Sequence, residues 1–259
     1  MQESQANLYD YPKYYDLVYG SDWKAEFDFL REVFARHAKR EVRRVFEPAC
    51  GTGRLLDKLA AASFEVSGND LNARAVAFCN ARLARRGFAP TVKVGDMADF
   101  RLPRRVDAAF NMINSFRHLT SQRQARQHLQ CVADALARGG VYVLGLHLTP
   151  LVGEPTKRES WSARRGNLAV VSHLWSEDVD LTKRRETFGM AMDVYTPRRQ
   201  FRLTDRLEFR TYTARQMAAL FAQLEKMEVA ATYDFSYDVN CPIKVAPETE
   251  DVVYVLRKV

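Results

Sequence analysis

Residues 45–56 (VFEPACGTGRLL) combine the residue types best suited to binding a small ligand. An apolar run ends at Pro48, Gly51 and Gly53 follow in a short turn, and a helical pattern begins at Arg54. Glycines let the backbone approach a ligand closely, and the start of the helix offers N–H groups that have no partner within the helix. At the carboxyl edge of a parallel sheet, such a turn is typical of a site for a nucleotide-like ligand.

The residues around this turn restrict the chemistry of that ligand. A dinucleotide turn of the G-x-G-x-x-G type has a third glycine where Leu56 stands, and a phosphate-binding loop has a lysine that is absent after Gly53. Glu47, just before the turn, would repel a pyrophosphate and suits a cationic group such as an ammonium or a sulfonium. A dehydrogenase is therefore disfavoured, and a nucleoside that carries a positive charge is favoured.

Two further acidic residues follow predicted strands. Asp70 comes about 20 residues after the glycines, where dinucleotide-binding folds place the acid that binds the ribose hydroxyls. Asp96 and Met97 follow the next strand, where a carboxylate can accept from an exocyclic amine and a methionine can pack against a purine. Asp70, Asp96 and Met97 together predict a nucleoside site.

Composition and charge indicate a folded protein. Hydrophobic residues are 47% and charged residues 27% of 259, which fits one large domain or two small ones. The net charge of +7 permits nucleic-acid, phosphate or membrane-surface partners but does not require them. The four cysteines form no CxxC pair, so we expect no metal site and a reducing, cytoplasmic location. We expect no signal peptide and no membrane span, because no apolar window approaches ~20 residues.

Hydrophobic periodicity up to residue 148 alternates between strand and helix. The predicted strands are 42–46, 64–68, 91–94, 106–113 and 141–146, and the predicted helices are 22–39, 54–62, 72–85 and 121–137. We expect Ser121 to cap the last of these helices and Gly139-Gly140 to end it. This alternation predicts an α/β fold with a doubly wound parallel sheet.

The pattern changes after Pro150. Residues 168–175, 186–195 and 201–211 read as strands with no helix between them, so we expect antiparallel hairpins. A helix at 213–224 and two strands at 229–235 and 252–256 follow. We therefore divide the chain into an N-terminal lid with a cofactor-binding Rossmann-like core (1–149), an antiparallel β insert after the fifth strand that shapes the acceptor pocket (150–212), and a last segment that completes a seven-stranded sheet (213–259).

Four segments in this order resemble the motifs of the class I S-adenosylmethionine-dependent methyltransferases. They are EPACGTG, GND-LN with its acidic Asp70, VGDMADF and FNMINSFRHL. Within that class the chain is most similar to small-molecule enzymes, notably the sugar N,N-dimethyltransferases of antibiotic pathways. This closer likeness depends on YYDLVYG, ACGTGRLLDKL, GDMADF, NSFRHLT and the antiparallel insert, and it is looser in the insert.

The resemblance implies S-adenosyl-L-methionine as the cofactor and a role for each matching residue. Glu47 and the backbone of Gly51–Gly53 would hold the methionine end. Asp70 would hold the ribose and Leu71 would lie against the adenine. The remaining implied cofactor contacts are Tyr15, Tyr19, Cys50, Arg54, Asp96, Met97, Asn111 and Met112.

The implied catalytic residues are His118 and Tyr15. A histidine in the NSF-x-HL segment faces the acceptor in the sugar enzymes, and His118 matches it. Two roles of His118 are equally favoured. It acts as a base or substrate contact, or it makes a purely structural hydrogen bond. Arg117 departs from the usual glycine, which suggests either a substrate with an anionic group or a surface arginine.

The N-terminal segment is dense in tyrosine. Tyr15 and Tyr19 belong to YYDLVYG, and the resemblance favours a lid in which a ring or hydroxyl lies near the sulfonium. The alternative is that these rings pack the first helix onto the sheet. Cys50 is interpreted as a small turn residue, because nothing supplies it with a base.

The predicted function is methyl transfer by in-line displacement to a small-molecule acceptor, with an amine favoured over a hydroxyl. The alternatives are an RNA or protein methyltransferase, which the basic charge would suit, and a catalytically silent cofactor-binding scaffold. The segment Asn111–Asn114 is not the D/N-P-P-[YF] signature of base methylation, which disfavours nucleic acid as a partner. Exposed strand edges in the insert would allow a homodimer. The sequence leaves the acceptor and the use of a general base open.

Overall fold

The structure, a computed structural model, describes residues 2–151 and 158–259. The helices are α1 (Pro12–Tyr19), α2 (Lys24–His37), α3 (Arg54–Ala61), α4 (Ala73–Arg85), α5 (Gln122–Ala135) and α6 (Ala214–Phe221). The strands are β1 (Gln2–Gln5), β2 (Arg44–Pro48), β3 (Glu65–Asp70), β4 (Val92–Val94), β5 (Val106–Asn111), β6 (Leu136–His147), β7 (Arg158–Arg165), β8 (Leu168–Asp180), β9 (Arg185–Tyr195), β10 (Gln200–Arg210), β11 (Met227–Tyr233) and β12 (Asp251–Lys258). Short 3-10 turns occupy Leu8–Asp10 and Ser115–His118.

One sheet has seven strands in the order β11-β12-β6-β5-β2-β3-β4. The strands from β6 to β4 run parallel, while β12 is antiparallel to β6 and β11 to β12. The chain order reverses between β2 and β5, which opens a crevice at their carboxyl ends. The predicted doubly wound, seven-stranded Rossmann-like sheet is confirmed.

Both faces of this sheet are covered, so its central strands are apolar along their whole length. Every residue of β5 is buried. Leu30 of α2 and Leu56 of α3 pack on one face, and Leu129 and Val132 of α5 pack on the other, each with at most 1% of its surface exposed. Burial on two sides explains why parallel strands read as continuous hydrophobic runs. The carboxyl edge of the sheet is therefore a rigid platform for the loops that follow it.

Side chains cap three helix starts, and the cap predicted at Ser121 is confirmed. The Asn72 side chain accepts hydrogen bonds from the backbone of Arg74 and Ala75 at the start of α4. Ser121 and Thr213 each form a capping box at the starts of α5 and α6. These bonds satisfy N–H groups that the first helical turn leaves without partners.

The prediction that Gly139-Gly140 ends a helix is wrong. Helix α5 ends at Ala135, and both glycines lie inside β6, at an irregularity in its pairing with β5. Gly139 has a φ of 77°, and a Cβ on Gly140 would lie 2.7 Å from the Asp107 carbonyl oxygen. The two glycines thus let β6 turn and approach β5 closely, a contact that local sequence does not reveal.

The second sheet has five strands in the order β1-β10-β9-β8-β7. The three predicted hairpin strands are present as β8, β9 and β10, all antiparallel. Sequence analysis missed the two edge strands, β7 and β1, and β1 pairs parallel to β10. Residues 152–157 of the predicted insert lie outside the described residues. The domain boundaries proposed from the sequence stay a prediction.

The N-terminal segment packs on the inner face of this second sheet. Leu8 and Leu17 lie in one buried cluster with Val170, Met192 and Leu203. No helix within 2–151 and 158–259 is both long and apolar enough to cross a membrane.

A buried histidine connects α5 to the loop that follows β4. His128 is fully buried, with Nδ1 2.8 Å from the Met97 carbonyl oxygen and Nε2 2.7 Å from the Tyr142 hydroxyl. A carbonyl oxygen only accepts, so Nδ1 carries the proton and Nε2 accepts from the tyrosine. Burial lowers the pKa of His128 to about 4, so the ring is neutral at pH 7.

This histidine makes stability depend on pH. The pKa of His128 is about 4 in the folded protein against 6.5 for an ordinary histidine, so the unfolded chain binds the proton more tightly. The contribution is fully present above pH 6.5 and is lost as the pH falls toward 4. Between pH 7 and pH 5 the unfolding free energy of the wild type should fall because of this histidine. We expect that fall to be about 2 kcal/mol smaller in His128→Gln. Urea titrations of the wild type and of His128→Gln at a series of pH values measure the unfolding free energy. Parallel curves of unfolding free energy against pH for the two proteins would contradict the prediction.

Candidate active site

The turn after β2 has a backbone that favours glycine. Gly51 and Gly53 have φ values of 53° and 66°. A Cβ on Gly53 would lie 2.1 Å from the Cys79 sulfur, whereas a Cβ on Gly51 would meet no atom within 4 Å. Gly53 is therefore needed for packing of the turn against α4, and Gly51 faces open space at the carboxyl edge of the sheet.

Asp70, the last residue of β3, joins this turn to the neighbouring loop. Its Oδ2 accepts from the Gly51 backbone N–H and its Oδ1 from the Asn72 backbone N–H, both at 2.8 Å. Burial raises the pKa of Asp70, and these two hydrogen bonds oppose the rise. Leu71 follows with 69% of its surface exposed. The carboxylate therefore fixes two loops, with an exposed apolar side chain beside it.

Glu47 and Asn111 bring unsatisfied acceptors to the crevice between β2 and β5. Among the described residues, Glu47 Oε2 and Asn111 Oδ1 are buried and have no hydrogen-bond partner. The Asn111 amide is oriented by its Nδ2, which donates to the Pro48 carbonyl at 2.7 Å. Burial raises the pKa of Glu47 well above its ordinary value. A buried acceptor without a partner is costly, so the crevice suits a ligand that donates hydrogen bonds and carries positive charge.

Arg54 does not neutralise Glu47 directly. It forms an ion pair with Glu26, in which Nη2 lies 2.8 Å from Oε1. Both side chains are mostly buried, with 18% and 4% exposure. The Arg54 charge is thereby matched by Glu26, and its predicted contact with the cofactor stays a prediction.

The remaining predicted cofactor residues lie on the loops after β4 and β5. Asp96 Oδ1 accepts from the Ala98 backbone at 2.7 Å, and the Asp96 carbonyl accepts from the Asn69 side chain at 3.0 Å. Met97 and Met112 are each 6% exposed. Together these contacts give the loop after β4 a fixed conformation with an apolar side chain beside it.

Cys50 is buried in the turn and packs beside Gly68 and Cys79. Its neighbour Cys79 and burial raise the pKa of the Cys50 thiol. A thiol with a raised pKa is a poor nucleophile. The environment agrees with its interpretation as a small turn residue.

The N-terminal tyrosines form a ring cluster between the two sheets. The ring centres of Tyr15 and Tyr19 are 4.6 Å apart, and those of Tyr9 and Tyr15 are 5.3 Å apart. Tyr19 is oriented by its hydroxyl, which lies 2.6 Å from Ser172 Oγ on β8. Burial raises the pKa of Tyr15 to about 12, so its hydroxyl stays protonated at neutral pH. These rings contact one another and the insert sheet as well as the core.

His118 joins this cluster through a residue that sequence analysis did not select. Its Nε2 lies 3.1 Å from the Tyr9 hydroxyl, and its ring packs edge-on against Phe209 at 4.6 Å. Burial, and then the Arg117 charge, lower the pKa of His118 to about 4. The dense run of N-terminal tyrosines was the only hint at Tyr9 in the sequence. A neutral imidazole and a buried phenol are thus brought together.

Two acidic residues bind the N-terminal segment to the loops after β2 and β3, and sequence analysis missed both. Asp10 Oδ1 accepts from the Asn72 side chain at 2.7 Å. Asp16, which is 3% exposed, accepts from the Thr52 hydroxyl at 2.8 Å and forms an ion pair with Arg82. The segment therefore bridges the loops after β2 and β3. We call the segment from Asp10 to Asp16 the cover.

Both interpretations of Arg117 are wrong. The side chain is neither on the surface nor free to meet an anionic substrate, because it is 4% exposed and lies 2.6 Å from Glu186 of β9. The partner comes from the insert, 69 residues away, so the sequence did not indicate it.

Comparison with known proteins agrees with this geometry. Residues 45–140 match the family model described as a methyltransferase domain. Over 133 residues the chain is 33% identical to dTDP-3-amino-3,6-dideoxy-alpha-D-glucopyranose N,N-dimethyltransferase of Streptomyces fradiae, a match that covers 50% of each protein. The chain spans about half the length of the curated relatives it matches.

Solved structures resemble the chain over nearly its whole length. An S-adenosylmethionine-dependent methyltransferase from Clostridium acetobutylicum has a TM-score of 0.79 at 17% identity, covering 97% of this chain and 99% of that one. S-adenosylmethionine-bound CalS10, an amino pentose methyltransferase from Micromonospora echinaspora, has a TM-score of 0.72 at 20% identity, covering 100% of both chains. These likenesses show the fold. The resemblance to class I methyltransferases inferred from the sequence is confirmed.

The two glycines of the turn should respond differently to a methyl group. We expect Gly53→Ala to lower the unfolding free energy by about 2–4 kcal/mol, because its Cβ overlaps the Cys79 sulfur and its φ is positive. Gly51→Ala should cost only about 1–2 kcal/mol, from the positive φ alone. Denaturant titrations measure both. Adding Cys79→Ala to Gly53→Ala should recover part of the loss, and equal losses for the two single variants would contradict the assignment.

Proposed function

We propose that the chain is an S-adenosylmethionine-dependent methyltransferase that methylates an amine on a small molecule. The observation that carries the proposal is the buried Glu47 side chain at the crevice beside the glycine turn, one oxygen of which has no hydrogen-bond partner in residues 2–151 and 158–259. A cationic nucleoside satisfies that oxygen and the ribose-binding position of Asp70 together. The methyltransferase-domain match over residues 45–140 supports the same ligand.

The residues of the crevice fit this cofactor. Glu47 would face the positively charged methionine end, and the Asn111 oxygen would accept a hydrogen bond there. Each oxygen of Asp70 accepts one backbone hydrogen bond, which leaves acceptor capacity for ribose hydroxyls. Leu71 and Met97 would flank the adenine. When bound, S-adenosylmethionine supplies a methyl group on a positively charged sulfur, where the carbon is electrophilic.

In methyl transfer the chain would mainly hold the two reactants in line and supply a proton acceptor. Holding two reactants in line can supply ~7–11 kcal/mol of the barrier. The acceptor nitrogen would form the new N–C bond with its lone pair as the bond between sulfur and methyl breaks. The sulfur would keep that electron pair and leave as a neutral thioether, and the nitrogen would then lose a proton. His118 is neutral at pH 7, because its pKa is about 4, so its ring can accept a hydrogen bond from that N–H. Tyr9, which is bonded to the same ring, would hold its orientation.

The cover formed by the N-terminal segment supports a small acceptor. It is bonded through Asp10 to the loop after β3 and through Asp16 to the loop after β2, so it lies over the glycine turn and its neighbour. The relatives named as N,N-dimethyltransferases act on amino sugars linked to dTDP, and that match covers half of this chain. An amine on a sugar-sized molecule is therefore the acceptor we propose. A homodimer, the absence of nucleic acid as a partner and a cytoplasmic location stay predictions from the sequence.

Calorimetric titration with S-adenosylmethionine tests the cofactor site. We expect micromolar binding, weakened about 10- to 100-fold in Glu47→Gln, which keeps the shape of the side chain and removes its charge. A bound cation favours ionised Glu47, whose pKa is raised in the free protein. Wild-type affinity should therefore decrease as the pH falls, and the affinity of Glu47→Gln should not.

The matched control is Glu65→Gln, an exposed residue at the start of β3 whose change should leave binding unaltered. Asp70→Ala is a poorer probe, because Asp70 also holds the backbone of Gly51 and Asn72. NAD and ATP serve as ligand controls. Failure of the folded wild-type protein to bind S-adenosylmethionine would sink the proposal.

Methyl transfer to candidate acceptors tests the catalytic side. With free and nucleotide-linked amino sugars as acceptors, we expect His118→Phe to lower kcat about 10²- to 10⁴-fold, the range for a lost general base. Affinity for S-adenosylmethionine should stay within about twofold. Wild-type kcat should show no acidic limb from His118 between pH 5 and pH 8, because its pKa is about 4. Methylation of tRNA but of no amine would favour the nucleic-acid alternative, and an unchanged kcat would remove His118 from the mechanism.

A further inference from the structure

A buried ion pair joins the turn that carries His118 to the insert sheet. Arg117 Nη2 lies 2.6 Å from Glu186 Oε2, and the two side chains are 5% and 12% exposed. Arg117 belongs to the 3-10 turn Ser115–His118, which follows β5, while Glu186 stands near the start of β9. The pair therefore connects the nucleoside-binding sheet to the sheet on the acceptor side.

Each member of the pair makes a further hydrogen bond within the protein. Arg117 Nε donates to the Arg210 carbonyl at 3.2 Å, and Glu186 Oε1 accepts from the Ser176 hydroxyl at 2.9 Å. The guanidinium carbon also lies 5.2 Å from the centre of the Phe209 ring. With Nε, Nη2 and one face of the guanidinium engaged by protein groups, Arg117 is committed to holding the turn in place.

The energetics favour a geometric role over a stabilising one. Desolvation of two charges offsets most of their attraction, so buried ion pairs are often no more stable than apolar side chains of the same size. What such a pair does provide is one defined arrangement of the groups it joins. Here the fixed arrangement of Arg117 extends to His118, the next residue. Phe209 packs against both the Arg117 guanidinium and the His118 ring, and the centres of the Phe209 and His118 rings are 4.6 Å apart.

We propose that the Arg117–Glu186 pair is a positioning device that holds the His118 ring against Phe209 and the Tyr9 hydroxyl, facing the acceptor. Arg117 acts through His118 and does not touch the reactants. The idea rests on the proposed methyl transfer only for the consequence of the positioning. The placement of the ring can be measured without any turnover.

The test is a ring titration of His118 by NMR in labelled protein, with His118→Phe to assign the resonance. The groups that face the ring are the Arg117 cation and the Tyr9 hydroxyl, and burial is the main cause of its low pKa. We expect Arg117→Met to raise the pKa of His118 from about 4 toward 6.5, because the ring loses a nearby cation and its fixed buried position. With an amine acceptor, kcat should fall about 10- to 100-fold, while affinity for S-adenosylmethionine stays within about twofold.

A second variant separates positioning from stability. Arg117→Met alone leaves the Glu186 charge buried without an ion-pair partner and can fail to fold, whereas Arg117→Met with Glu186→Leu removes both charges. If the pair positions His118, the double variant recovers the unfolding temperature but keeps the raised pKa of His118. The control is Arg206→Met, which breaks an exposed ion pair with Glu177 on the same sheet and should change neither quantity.

The outcomes are distinct. An unchanged His118 titration in folded Arg117→Met or in the double variant overturns the positioning role, whether or not the protein is an enzyme. Removal of the Arg117 cation raises the pKa of His118 even if the ring stays in place. A shifted titration therefore supports positioning only when NMR contacts between the His118 ring and Phe209 are also lost, and this holds even if the wild type binds no S-adenosylmethionine, a result that would contradict the proposed function alone. Recovered stability in the double variant with the His118–Phe209 ring contacts intact would make the pair merely structural.

Discussion

The site depends on one carboxylate that accepts hydrogen bonds from two loops. Asp70 ends β3 and holds the backbone of Gly51 on one side and of Asn72 on the other. The N-terminal segment then attaches to these same loops, through Asp10 to Asn72 and through Asp16 to Thr52. Because the sheet beneath is covered on both faces, these bonds fix the turn, the neighbouring loop and the cover as one unit.

Within that unit the crevice is left with an electrostatic imbalance. Within the described part of the chain, Glu47 and Asn111 each place there an oxygen without a hydrogen-bond partner, while the nearby cation Arg54 is matched by Glu26. An isolated protein is less stable for such an arrangement, since buried acceptors lose their hydration without a replacement. A rigid sheet edge can sustain it, and a cationic hydrogen-bond donor relieves it. The same two oxygens therefore lower the stability of the free protein and favour a cationic hydrogen-bond donor as the ligand.

The second sheet acts on the opposite side of the crevice. Its inner face carries the hydrophobic cluster under Leu8 and Leu17, and its strands β8 and β10 supply the contacts of Tyr19 and His118. The tyrosines proposed for the lid thus depend on two sheets at once. Their positions follow from how the insert packs on the core, which brings residues of the two sheets into contact.

The sequence by itself determined the alternating core, the glycine turn, the order of its acidic residues and the helix caps. Those features are local, because caps and turns are made by residues a few positions apart. It could not give the edge strands β1 and β7, whose pairing comes from their neighbours, nor the place of Gly139 inside a strand. The pairing of His118 with Tyr9, 109 residues away, and of Arg117 with Glu186 was decided only by tertiary structure. Such contacts form when two sheets pack, and no periodicity in the chain encodes which side chains then meet.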